Sequence, residues 1–156
     1  MKSVATALAL AVGLLAGCSE GAVSERLPDV RLPTLSAQES PSLSSCRTAK
    51  CLTVYLAPWC GYCRQSTPML LALRRFLNGR GVETRIVVGK DALASLRGYA
   101  GEFGPDTLLD VHDVLSVRGV PHFFVTDAKG AILKEVSGVP SGGYSVEEVA
   151  GLFGLP

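Results

Sequence analysis

The segment LTVYLAPWCGYC, Leu52 to Cys63, constrains the chain most. Its first half is apolar and β-branched, the pattern of a buried strand. After Pro58 the pattern changes. Met69, Leu70, Leu73, Phe76 and Leu77 recur at three- and four-residue steps, which predicts a helix ending near Asn78-Gly79. A strand that runs straight into a helix, with two cysteines at the junction, begins an α/β sheet.

The rest of the pattern extends this unit. Val82–Val88 reads as a second strand. Asp91 to about Phe103 reads as a helix with Asp91 as its cap, and Thr107–Leu115 as a further short helix. His122–Asp127 and Ala131–Val136 form a hairpin around Ala-Lys-Gly, with Asp127 and Lys129 supplying turn chemistry. Ser145-Val-Glu-Glu148 is a capping box that opens a last helix, with Val146, Val149, Ala150 and Phe153 inward. The expected order is β-α-β-α-β-β-α. The fold class is α/β, a central mixed β-sheet flanked by helices.

Four of the five cysteines fall between Ser44 and Cys63, and they divide into two pairs. A shared zinc site would need four sulfurs about 2.3 Å from one ion. Cys51 and Cys60 are separated by the predicted strand, about 25–30 Å if extended. One shared site is therefore not expected, and no metal is assigned. Cys60-Gly61-Tyr62-Cys63 lies at the helix start. There, free N–H groups and the helix dipole favour a thiolate on Cys60 and lower its pKa. Cys63, one turn on, can close a disulfide. Cys60 is thus expected to attack and Cys63 to resolve the mixed disulfide. Gly61 and Tyr62 tune the site, and Trp59 shields it. For Cys46 and Cys51, four residues apart, the main reading is a local structural disulfide. A second redox pair and two free thiols stay open.

The N-terminus is read separately. Lys2 and the apolar run Val4–Ala16 fit a signal peptide, too short to span a membrane. Leu15-Ala16-Gly17-Cys18 resembles a bacterial lipobox, which implies that Cys18 becomes a lipidated N-terminus anchored to a membrane. The residue pair after it, Ser19-Glu20, leans towards the outer membrane. Residues 18–45, rich in serine and proline and without period, are expected to be a flexible tether reaching about 30 Å. An extra strand over Asp29–Leu35 is the alternative. The folded domain is expected over 46–156. Export places the chain in the cell envelope, on the periplasmic side, where disulfides persist. The whole chain has 15 basic and 14 acidic residues, net +1. Loss of Lys2 with the signal would bring the balance to zero, with no basic field for nucleic acid.

On these residues the chain resembles the thioredoxin superfamily. APWCGYCRQSTP carries the tryptophan before the first cysteine and Pro68 five residues after the second. Val117-Arg-Gly-Val-Pro121, followed by the hairpin, is similar to the family's cis-proline loop. The resemblance covers about Cys51 to Phe153. It implies a thioredoxin-like fold and a loop beside the sulfurs, with Val120 and Pro121 offering backbone to an extended substrate. Where thioredoxins carry a buried aspartate this chain has Val54, so a base for Cys63 is missing or lies elsewhere. Gly-Tyr is similar to the dipeptide of periplasmic disulfide isomerases. Their separate dimerisation domain is not expected here, and a monomer is.

The expected activity is thiol–disulfide exchange with protein substrates bearing disulfides or thiols, leaning to reduction. It needs no cofactor and would draw electrons from an upstream membrane thiol–disulfide donor. An isomerase, an oxidase, a metal carrier or a peptide-binding module with a structural disulfide are the alternatives. His122 is placed either near Cys60, where its charge would favour thiolate, or at the surface. His112 reads as a solvated helix residue.

Overall fold

In the computed structural model, which describes residues 25–139 and 144–156, the chain follows β1 (Lys50–Leu56), α1 (Gly61–Asn78), β2 (Glu83–Gly89), α2 (Leu93–Ala100), β3 (Leu108–Asp110), β4 (His122–Asp127), β5 (Ile132–Ser137) and α3 (Val146–Leu152). The signal peptide, Cys18 and the first part of the tether lie outside the described residues.

The five strands form one mixed sheet in the order β3-β2-β1-β4-β5. β1 pairs in parallel with β2 and β2 with β3, while β4 runs antiparallel to both β1 and β5. Helical crossovers give the parallel part and the hairpin gives the antiparallel part. Period-2 alternation then sorts the strand residues onto two faces. Leu52, Val54, Leu56, Ile86, Val88, Phe123 and Val125 face a core filled by Leu70, Leu73 and Leu77 of α1, Leu96 and Tyr99 of α2, and Val149 and Ala150 of α3. Tyr55, Val87 and Phe124 face the other way.

That second face corrects the tether. Residues 27–43 do not trail into solvent: Leu27, Leu32 and Leu43 are buried against Tyr55, Val87 and Phe124. Backbone bonds hold the segment in place, Leu27 N–H donating to Gly130, Leu35 N–H to Thr107, and Leu109 N–H to Pro33. Arg85 of β2 reaches beneath it, its guanidinium donating to the carbonyls of Ser42, Leu43 and Ser45. Glu83 balances that buried cation, its Oε1 3.0 Å from Arg85 Nε. Burial pushes the Glu83 carboxyl up, but the bonds from Arg85 and from the Arg47 backbone outweigh it and hold it below the usual range. The alternative of an extra strand over Asp29–Leu35 reduces to single bridges, one of them Thr34 with Leu108.

Two further expectations change. Thr107–Leu115 is not a helix. Leu108–Asp110 adds to β2 as a strand, and the Asp110 carboxylate then accepts from the N–H groups of Val114 and Leu115, closing a loop. Asp91 does not cap α2; Ala92 holds that position without a side-chain bond, and Asp91 accepts from the Ala92 N–H instead. The capping box at Ser145 and Glu148 is present, with both bonds made. The Asp127 carboxylate accepts from the N–H groups of Lys129 and Ala131, forming the hairpin turn.

Candidate active site

Cys60 is the N-cap of α1. Its sulfur accepts the N–H of Cys63 at 3.1 Å, one of the helix donors left without a backbone partner. Across the site, the same sulfur lies 3.6 Å from the carbonyl oxygen of Val120. The Val120–Pro121 peptide bond is cis. The Pro121 carbonyl accepts from Gly138 N–H beyond β5, which ties the loop to the hairpin. The backbone of Val120 is thus presented to Cys60 at the same end of the sheet.

The two thiols differ in surroundings. Both are free and buried, Cys60 at 5% exposure and Cys63 at 0%. Burial, and then the bond to Cys60, push the Cys63 thiol up to about 12. Val54 stands in the core on the Cys63 side of β1, so no carboxylate enters there. Among the described residues, two hydroxyls reach this interior, those of Thr67 and Tyr99. Thr67 Oγ1 donates to the Cys63 carbonyl at 3.3 Å and lies 3.2 Å from the Tyr99 hydroxyl. Arg64 lies over the Tyr99 ring, 4.9 Å from its centroid, and donates to the Pro58 carbonyl at 2.6 Å. Pro68 lies within α1, and the helix continues on both sides of it.

Around the sulfurs the surface is open and aromatic. Trp59 and Tyr62 are exposed by 62% and 68%, far more than large apolar side chains usually are. At Gly61 a side chain would meet nothing within 4 Å. A cleft of about 320 Å³ opens beside Trp59, between α1 and α2, with Arg64, Tyr99 and Glu102 in its wall.

Cys46 and Cys51 are bonded to each other, with Cα atoms 5.8 Å apart. Cys51 is the second residue of β1 and Cys46 N–H donates to Ala128 in the hairpin turn, so the bridge joins the end of the N-terminal segment to the sheet. Among the described residues, Cys46, Cys51 and Glu83 form the one cluster with metal-ligand spacing. Its sulfurs are spent on each other, and its carboxylate is engaged by Arg47 and Arg85.

His122 does not approach Cys60. It pairs with Tyr55 across β1–β4 and shares the face of Phe124, opposite the core that holds Cys60 and Cys63. It is not at the surface either: it is buried, its Nε2 is 2.7 Å from Glu135 and its Nδ1 has no partner. His112 lies exposed in the loop after β3, not on a helix. Thr67 and Tyr99, and the polar chain behind Trp59 described below, were not marked by any motif. Hydroxyls at helical spacing look the same whether they face a reactive thiol or solvent.

The family model described as Redoxin matches residues 22–143. A thiol:disulfide interchange protein, HelX, of Rhodobacter capsulatus is 34% identical over 119 residues, covering 71% of this chain and 65% of that protein. The chain therefore spans about two thirds of that relative's length. A second, DsbE of Pseudomonas fluorescens, is 29% identical over 124 residues, covering 75% of this chain and 67% of the relative. A secreted disulfide oxidoreductase of Mycobacterium tuberculosis has a similar fold, with a TM-score of 0.61 at 18% identity, covering 79% of this chain and 92% of that one. The chain belongs to the Redoxin family and has a thioredoxin-like fold.

Proposed function

We propose that this Redoxin-family chain is a thiol–disulfide oxidoreductase that exchanges disulfides with protein substrates through Cys60 and Cys63. The observation that carries this reading is the seat of Cys60: at the N-cap of α1, with a helix N–H donating to its sulfur and the Val120 carbonyl facing it beside a cis proline. A donor aimed at sulfur favours negative charge there, and an extended substrate can pair with the Val120 backbone. The two relatives named as thiol:disulfide interchange proteins support the same chemistry.

In the reductive direction, the Cys60 thiolate attacks one sulfur of a substrate disulfide. A Cys60–substrate disulfide forms, and the other substrate sulfur leaves as thiolate and takes a proton. Cys63 then gives up its proton and attacks the Cys60 sulfur. The Cys60–Cys63 disulfide forms and the second substrate thiolate is released. Two electrons have passed to the substrate, and an upstream dithiol donor at the membrane returns them. Trp59, Gly61 and Tyr62 form the exposed face on which the substrate rests. Cys46–Cys51 takes no part and acts as a staple. The lean to reduction belongs to the same reading, and so do the envelope location and the anchor through lipidated Cys18, which rest on the N-terminal sequence.

Cys63→Ser tests it. With the resolving thiol gone, mixed disulfides through Cys60 should accumulate in extracts of cells expressing the full chain, visible by non-reducing electrophoresis and lost on adding Cys60→Ala. A folded Cys63→Ser protein that traps nothing would favour the peptide-binding alternative.

A further inference from the structure

Trp59 is the chain's single tryptophan, and its exposed ring is not loose. Its indole N–H donates to the carbonyl of Lys90 at 2.8 Å. Lys90 follows β2 and has a φ of 62°, a left-handed conformation that a side-chain-bearing residue adopts only when its surroundings hold it there. The holding contact is visible: Lys90 Nζ is 2.8 Å from the Asp113 carboxylate. Asp113 in turn accepts from the Tyr55 hydroxyl at 3.3 Å, and Asp110 lies 3.2 Å from the same oxygen.

This chain of contacts is built rather than incidental. Tyr55 and Asp110 are fully buried. One hydroxyl proton cannot serve two carboxylates at once. The shortfall is met from both sides: Asp113 has Lys90, and Asp110 has the N–H groups of Val114 and Leu115. Gly89 makes room, since a Cβ there would stand 1.9 Å from the Tyr55 oxygen. The chain also connects two places that matter. One end holds Trp59, next to Cys60. The other folds the loop that runs on through Val117 to Val120, whose carbonyl faces the Cys60 sulfur.

We propose that Lys90, Asp113 and Tyr55 are positioning residues, which hold the Trp59 indole and the loop leading to Val120 in register as the two walls of the protein-substrate face around Cys60. The proposal rests on the thiol–disulfide reading and adds to it where protein substrates gain their preference over small disulfides. A small disulfide needs the sulfur alone, whereas a peptide needs both walls.

The test uses the full chain with Lys90→Met, Lys90→Arg and Asp113→Asn, and Glu147→Gln on α3 as a control. Folding is checked by circular dichroism. Two readouts are taken: acrylamide quenching of Trp59 fluorescence, and kcat/KM for reduction of insulin and of a small aromatic disulfide. Lys90→Met and Asp113→Asn should make Trp59 more accessible to quencher and lower kcat/KM for insulin about tenfold. The small disulfide should be reduced at the wild-type rate, and Lys90→Arg should restore both readouts. Unchanged quenching in Lys90→Met overturns the proposal whatever the activity does. So does an equal loss on both substrates, which would mean damage to Cys60 itself. If the wild type reduces neither substrate, the enzymatic reading falls, and quenching still decides whether this chain holds Trp59.

Discussion

The Cys60 sulfur lies 3.6 Å from the Val120 carbonyl oxygen, sixty residues away in sequence. β1 delivers the first and β4 the approach to the second, and these strands are antiparallel neighbours. The Cys60 sulfur and the backbone proposed to receive a substrate therefore share one end of one sheet.

The N-terminal segment should behave as core. Leu43→Ala removes a side chain that is 1% exposed, from a layer it shares with Leu27, Leu32, Tyr55, Val87 and Phe124 among others. The expected cost is about 2–5 kcal/mol by urea unfolding. A change within about 0.5 kcal/mol would be the result for a solvated tether.

How much of this was legible in the chain follows from periodicity. α1 repeats every three to four residues, while β1, β2 and the β4–β5 hairpin are short apolar, β-branched runs bounded by turn residues, and all were readable. So were the capping box and the cysteine pairs, which are local. Leu27, Leu32 and Leu43 have no period because they sit on an irregular segment that touches the sheet at separate points. Composition around them, rich in serine and proline, pointed to solvent. Thr107–Leu115 has helical spacing, yet Leu108–Asp110 gains a free edge of β2, which no local pattern reveals. His122 shares a face with Phe124 and alternates with Phe123, but the sequence does not say which of the two faces holds Cys60.

The Cys46–Cys51 bridge should act on stability and not on exchange. Replacing both residues by alanine opens a loop of only a few residues, so the loss should be about 2 kcal/mol or less. Insulin reduction per folded molecule should be unchanged. A large fall in turnover with the fold intact would instead make this bridge a second redox pair.

The pH dependence of the reduced protein should reveal Cys63. Its thiol is held up to about 12 in the fold, chiefly by burial, against an ordinary value of 9.0. Between these values the unfolded chain has lost that proton and the folded chain keeps it. Stability is therefore intact below pH 9 and falls as pH rises towards 12, by about 1.4 kcal/mol for each pH unit at most. Urea unfolding from pH 8 to 10.5 should show this decline in the reduced wild type and a shallower one in Cys63→Ser. Parallel curves would mean that Cys63 is not desolvated as described.

In the proposed exchange Cys60 attacks and Cys63 resolves. Competitive alkylation of the reduced protein with a limiting amount of iodoacetamide, followed by peptide mass spectrometry, measures this asymmetry directly. Cys60 is expected to carry nearly all of the first label at pH 7, with Cys63 labelled only after unfolding. Equal labelling of the two thiols, or Cys63 labelled first, would contradict it.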